Sequence, residues 1–348
     1  MAGWTLGEVP TGYVSDRIGR RNALVVSKGL TVAALLTLGF GQTFAAFVAG
    51  YAVWSLGVTF RSGAGSAWLY EVLEERLNTD EYTRVKGRGS AVQLSVTAVS
   101  SVLGGWLAAT DWLYPFLANT ALVAVGIPVL LALPVVGREA EEATSGAVEM
   151  LSVIRDQFTA PPLRGFVVYM ALFFALTSVV ETFVQPVSTN IGVPVAALGW
   201  LYAGFSLVAA GAGYVAGDVR ERVGERTWFL TAPLGLALLL VATPFVPLLA
   251  LPIFFVLRGV RSLTTTLRGQ YLNDRIGSVG RATTLSAASM VFALAAAVSR
   301  QVGGDVADLS SPLTMFGFFS GVFIAATLVL LLVDPPVPVG VTSESPAD

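Results

Sequence analysis

The sequence predicts an all-α integral membrane protein of two pseudo-symmetric helical bundles, with about eleven helices present. Three observations carry this. First, 54% of the 348 residues are hydrophobic, only 13% are charged, and mean hydropathy is +0.72. A soluble domain carries about 25% charged residues, so this much apolar surface belongs in lipid. Second, apolar segments of membrane-spanning length, about 20 residues, recur along the chain. Third, a charged turn is repeated. Gly12, Asp16, Arg17, Gly19 and Arg21 have the same spacing as Gly217, Glu221, Arg222, Gly224 and Arg226. Each copy closes one apolar segment and opens the next, as in a duplicated bundle.

The segments run at roughly 22–43, 45–72, 88–110, 113–136, 164–187, 195–217, 227–246, 250–272, 281–303 and 311–333. Residues 1–15 are too short to span and suit the inner part of a further helix. The expected organisation is an N-terminal bundle at 1–136 with its second helix partial, a linker at 137–163, a six-helix C-terminal bundle at 164–333, and a disordered cytoplasmic tail at 334–348. The linker places Leu151, Ile154 and Phe158 around Arg155 and Asp156, the pattern of a short amphipathic helix on the membrane surface. The tail is rich in proline and then in small and acidic residues.

Of 21 Lys and Arg, 17 fall in or beside alternate connections, at 17–28, 76–88, 138–164, 220–226 and 268–281. The positive-inside rule makes these cytoplasmic and puts the C-terminus on the same side. The four exceptions are Arg61, Arg258 and Arg261 inside helices and Arg300 near an outer end.

The function classes narrow by what is missing. With no Cys and no His, the usual metal ligands and the usual neutral-pH proton shuttle are gone. No metal, no cofactor and no enzyme activity are expected. A net charge of −2 gives no sign of nucleic-acid binding. There is no phosphate loop of the Gly-x4-Gly-Lys type and so no sign of ATP use. Proton coupling, if present, uses carboxylates.

An ionisable residue inside a membrane helix costs roughly 2.5–3.5 kcal/mol on insertion scales and is a functional candidate for that reason. Glu181 and Arg258 fall at similar depth in their segments, about 9 and 12 Å from the outer ends, which allows a pair. Arg258, Arg261, Thr265 and Arg268 share one helix face. Thr177, Glu181 and Gln185 make a second polar face, with Ser178 beside it. Glu8 and Arg61 complete the set. A structural ion pair with snorkelling arginines is the alternative for the same residues. Gln93, Thr97, Ser101 and Gly104 form a face of small residues suited to helix packing.

The paired turn, the six-helix second half and the central linker together resemble the major facilitator superfamily. Glu8-Val-Pro10-Thr-Gly12 looks like the end of helix two in its efflux-type members. Arg61-Ser-Gly-Ala-Gly65-Ser-Ala67 is similar to its helix-four motif, with Ala64 in place of the usual glutamine. Tyr271-Leu-Asn273 with Arg281-Ala-Thr-Thr-Leu-Ser286 resembles a drug-exporter-like subgroup. Against that pattern, family helix one has no counterpart; a misplaced start or a fragment would account for it.

The resemblance implies alternating access, with helices seven and ten, here carrying Glu181 and Arg258, lining a central cavity. It assigns Gly12, Asp16, Arg17, Gly19, Arg20, Arg21 and Glu71, and Gly217, Glu221, Arg222, Gly224 and Arg226, to a cytoplasmic gate. Asp16 would face the helix start near Arg281 to Thr283, and Glu221 the start near Gly89 and Ser90. The expected function is proton-coupled efflux of a small organic molecule by a monomeric transporter of the cell membrane, with substrate, protons and the lipid bilayer as its partners. The alternatives are transport of an anionic or zwitterionic metabolite, suggested by the arginine stripe, and a non-transporting sensor or remnant.

Overall fold

The computed structural model describes residues 18–62, 82–133, 161–275 and 281–337, and for a few positions within helices, Arg20 among them, the backbone alone. The described residues are helical: α1 (Arg20–Phe40), α2 (Phe44–Ser62), α3 (Tyr82–Thr110), α4 (Leu113–Ala132), α5 (Pro161–Asn190), α6 (Val195–Tyr214), the short α7 (Ala216–Arg222), α8 (Glu225–Val241), α9 (Ala250–Arg275), α10 (Arg281–Leu309) and α11 (Pro312–Val333). Seven of them contain stretches long and apolar enough to cross a membrane. They divide into two compact units. One holds residues 1–144 with 194–203, the other 145–193 with 204–348. The amphipathic segment expected at 151–158 lies outside the described residues.

In the first unit α1 packs on both α2 and α4. The contacts are close because glycines face them. A Cβ on Gly39 would meet the Phe116 Cβ at 2.9 Å, and one on Gly50 would meet the Leu38 side chain at 2.8 Å. The Ser27 hydroxyl donates to the Gly57 carbonyl across α1 and α2 at 2.6 Å. In lipid such contacts, rather than hydrophobic exclusion from water, hold helices together.

The first unit also holds a crossing of α3 with the first half of α6. A Cβ on Gly105 would lie 2.7 Å from the Gly199 nitrogen, and one on Gly199 would lie 2.4 Å from the Ser101 carbonyl oxygen. Gly104, the glycine placed on the small-residue face from sequence, has nothing within 4 Å of its Cβ position. The face is turned by one residue, and Gly105 makes the close approach.

The second unit has the denser core. Phe166, Tyr169, Phe173, Phe229, Phe254, Tyr271, Phe316 and Phe323 are fully buried. Phe166 stacks on Tyr271 with centroids 4.1 Å apart and meets Phe229 edge-on at 5.1 Å. The Tyr169 hydroxyl, buried with them, donates to the Phe229 carbonyl at 2.6 Å, as a buried phenol must. This joins α5, α8 and α9 at one end. The tail is ordered at its start. Asp334 pairs with Arg164 at 2.8 Å and Val337 is 5% exposed. A charge partner across the unit holds residues that composition alone marks as disordered.

The two charged turns have matching backbones. Gly19 has φ 83°, ψ 144° and Gly224 has φ 80°, ψ 146°. Each stands before a helix and offers its carbonyl to the nitrogen four residues on, Ala23 at 3.0 Å and Trp228 at 3.1 Å. That region of backbone space is nearly closed to residues with a Cβ. Nothing lies within 4 Å of either Cβ position, so a substitution meets strain and no clash. Gly224→Ala is therefore expected to destabilise the protein by about 1–3 kcal/mol, read as a lower melting temperature in detergent, while Gly217→Ala, with an ordinary backbone and open space, leaves it unchanged.

Candidate functional site

The candidate site is a group of charges in the second unit where α5, α9 and α10 pack together. α5 runs through Pro186 to Asn190, with the Thr189 hydroxyl bonding the Pro186 carbonyl at 2.9 Å. Glu181 thus lies about 13 Å from the end of its helix, deeper than the sequence segment ending at 187 implied. Its carboxylate is held by two guanidiniums from α9. Arg258 Nη1 is 2.7 Å from Oε1 and Arg261 Nη1 is 2.8 Å from Oε2. The contact to Oε1 is close but not aligned as a hydrogen bond. Glu181 is 19% exposed and each arginine 28%, so the group is largely desolvated.

Neighbouring polar groups orient it. Arg261 Nη1 also donates to the Thr177 hydroxyl, fully buried, at 3.0 Å. Arg300 Nε of α10 donates to the buried Ser178 hydroxyl at 2.6 Å and lies within electrostatic reach of Glu181 and Arg261. Arg258 also stands 5.4 Å from the Phe205 ring and Arg261 5.5 Å from the Phe174 ring. Two guanidiniums therefore hold one carboxylate, with a third within electrostatic reach.

Sequence alone gave Arg300 no place in the site and noted Ser178 only beside a polar face. α10 continues to Leu309, which places Arg300 well inside the helix rather than near its end. Lys28 and Arg268, counted with the connections, also sit within helices, α1 and α9. The Lys28 stem lies against α4 at Gly126, and Arg61, exposed at the end of α2, is near enough to act on its charge. Thr265 and Gln185 are exposed and do not join the ion group; the Thr265 hydroxyl bonds the Arg261 carbonyl of its own helix at 2.8 Å.

At the gate positions the picture is partial. Glu8, Gly12, Asp16, Arg17 and Glu71 lie outside the described residues, as does the Arg20 side chain. Arg21 has a definite task within the first unit. Its Nη1 donates to the carbonyls of Leu131 and Leu133, at 3.3 and 3.1 Å, and so caps the end of α4, where helical carbonyls lack partners. In the second copy Gly217, Glu221, Arg222 and Arg226 do not supply the charge contacts, which pass through neighbours instead. Arg220 Nε lies 2.8 Å from Glu225 Oε1, and Arg220 also pairs with Asp274. Arg275 reaches Glu225 at 3.6 Å and lies over the Tyr271 ring. Partial burial lowers the Arg220 pKa, but Glu225 and Asp274 outweigh it and hold the guanidinium above its ordinary value. Glu225 stands at the first position of α8, where a negative charge suits the helix dipole. The first copy carries Arg20 at the position of Glu225 and Ser15 at that of Arg220, so this network belongs to the second turn alone.

Membrane-length helices in two units, with a charged cluster within the second, define a multi-pass membrane protein. The sequence pattern of the Major Facilitator Superfamily matches residues 1–187 and again 182–347, and the chain belongs to that superfamily. Solved structures share the fold. The nucleoside transporter NupG aligns with a TM-score of 0.75 at 13% identity, over 95% of this chain and 89% of that one. The peptide transporter POT gives 0.70 at 13% identity, over 95% and 83%. The xylose transporter XylE from E. coli gives 0.64 at 13% identity, over 96% and 86%. No curated protein matches the chain in sequence.

Proposed function

We propose that the chain is a secondary active transporter that exports a small organic molecule in exchange for protons by alternating access. The observation that carries this is the clasp of Glu181 between Arg258 and Arg261 in membrane-spanning helices. In general a carboxylate between two cations stays ionised, and the same carboxylate buried alone takes up a proton. A conformational step that withdraws the guanidiniums converts one state into the other. The rest of the second unit has no carboxylate as deep among the described residues; Asp305, Asp308, Glu225 and Asp274 stand near helix ends. Export is supported by the resemblance of Tyr271 to Asn273 and Arg281 to Ser286 to drug-exporter-like sequences. On this reading the bundles at 1–136 and 164–333 move against each other, the two charged turns close the cytoplasmic side, and the tail faces the cytoplasm of a monomer in the cell membrane.

The test works whatever the substrate is. Compounds released by cells expressing the wild type or Glu181→Gln are compared by untargeted mass spectrometry, with and without a protonophore. At least one small organic compound should accumulate outside wild-type cells only, and lose that accumulation when the proton gradient is collapsed. Release that is the same in both strains and indifferent to the protonophore would rule out proton-coupled export.

A further inference from the structure

Arg268 differs from the other arginines of α9. It lies seven residues beyond Arg261, about 10 Å along the helix, away from Glu181. No carboxylate pairs with it among the described residues, and its Nε is buried without a hydrogen-bond partner. It is held by two phenyl rings instead. Its guanidinium carbon is 4.8 Å from the Phe174 centroid and 4.6 Å from that of Phe292. The rings come from α5 and α10, are 7% and 5% exposed, and stand 5.6 Å apart at an angle of 41°. Cation–π contact stabilises a guanidinium by about 0.5–2 kcal/mol. It orients the fork but satisfies none of the five in-plane N–H donors of an arginine, and at Arg268 the Nε is the donor left buried without a partner. Burying such a group without an anion is costly.

The neighbouring charges strengthen the point. Glu181 is fully engaged by Arg258 and Arg261, and Arg300 is bonded to Ser178. Toward the other end Asp274 is engaged by Arg220, and Glu225 by Arg220 and Arg275. These acids on either side of Arg268 are thus spoken for by other cations. The fork is planar and matches a carboxylate with two parallel bonds, and the two buried rings hold it in place.

We propose that Arg268, oriented by Phe174 and Phe292, forms the substrate-recognition subsite, and that the substrate is a small organic acid whose carboxylate meets its guanidinium. The subsite deepens the transport reading above and rests on it. It separates the two tasks by position: the charge of the substrate is read at Arg268, and the proton is handled about 10 Å away at Glu181.

The experiment uses the purified full-length chain in phosphatidylcholine nanodiscs, with benzoate as the probe, benzamide as its neutral isostere and inorganic phosphate as the bare anion. Binding is read by calorimetry and by the rise in melting temperature. Benzoate should bind and benzamide should not. Arg268→Gln should weaken benzoate binding about 10- to 100-fold, as expected for losing a charged hydrogen-bonding partner, and Arg268→Lys should keep part of it. Phe292→Leu, which retains the cation but removes one of the rings that orient it, should weaken benzoate binding less than Arg268→Gln does. Benzoate binding is read with no proton gradient present and apart from uphill transport, so failure of proton coupling and failure of the subsite give different results. Equal binding of benzamide, no binding of benzoate, or undiminished binding by Arg268→Gln overturns the proposal. So does stabilisation by phosphate, or by nanodiscs of anionic lipid, that matches benzoate in size and depends equally on Arg268, because the site would then take any phosphate or a lipid headgroup.

Discussion

Glu181→Gln is expected to abolish uphill transport while leaving exchange of substrate across the membrane intact. The substitution keeps the shape of the side chain and removes its ability to carry a proton. With an inward proton gradient of one pH unit, a coupled exchanger moving one proton per substrate builds up to about a tenfold concentration ratio; the variant should stop at equality. Reconstituted vesicles with an imposed gradient measure this ratio directly. A purely structural role predicts another outcome. Removing the anion leaves Arg258 and Arg261 desolvated and unpaired, which costs about 3–5 kcal/mol for a buried pair, and abundance and exchange would fall together. The second arginine on that carboxylate also decides how that role is tested. Replacing Glu181 by Gln and Arg258 by Met still leaves Arg261 without its anion. Restoration of stability therefore needs Arg261→Met as well. A triple variant that is stable and still concentrates substrate would exclude Glu181 as the coupling group.

Gly199→Val should be the most damaging single change in the first unit. The three nearest neighbours of its Cβ position are all backbone: the Ser101 oxygen at 2.4 Å, the Val102 Cα at 2.9 Å and the Val102 oxygen at 3.0 Å. Backbone cannot swing aside as a side chain can, so α3 and α6 must separate. Overpacking of this kind costs about 1–3 kcal/mol and at times more. Gly105→Val meets the same crossing from the other side. Gly104→Val, one residue away and with open space at its Cβ position, is the control and should behave as wild type. Melting temperature in detergent and transport rate together read the effect; equal behaviour of the Gly104 and Gly105 variants would remove the crossing as a constraint.

Much of the helical frame was legible because membrane helices must be long and apolar. The breaks after Phe40 and Thr110 fall close to where hydropathy changes. Helix ends were less legible. α5 continues past Pro186 and α10 past Gln301 and Gly304 into an acidic end, because a helix terminates where its packing ends and not where its hydropathy does. That error hid Arg300. Similar depth allowed a pair of Glu181 with Arg258, and the two are in contact. The second partner, Arg261, was on the same face, yet nothing in sequence says whether one carboxylate serves one arginine or two. Face assignment also missed by a single residue at Gly104 against Gly105, since 100° of helical rotation separates a contact from open space. At the second charged turn the spacing shared with the first drew attention to Glu221 and Arg222. The contacts run through Arg220 and Glu225, where the two copies differ in sequence.

The contact of Arg164 with Asp334 makes the second unit a closed circuit. Its first long helix begins where its last one ends, and a Cβ on Gly165 would touch the Asp334 carbonyl oxygen at 2.5 Å. The ion pair itself is worth little, about 0–1 kcal/mol, since Arg164 is 56% exposed; the adjacency is what counts. A half whose two ends meet can be joined there and opened elsewhere without stretching the chain. The order in which its helices are written in the gene is then one of several that lead to the same bundle.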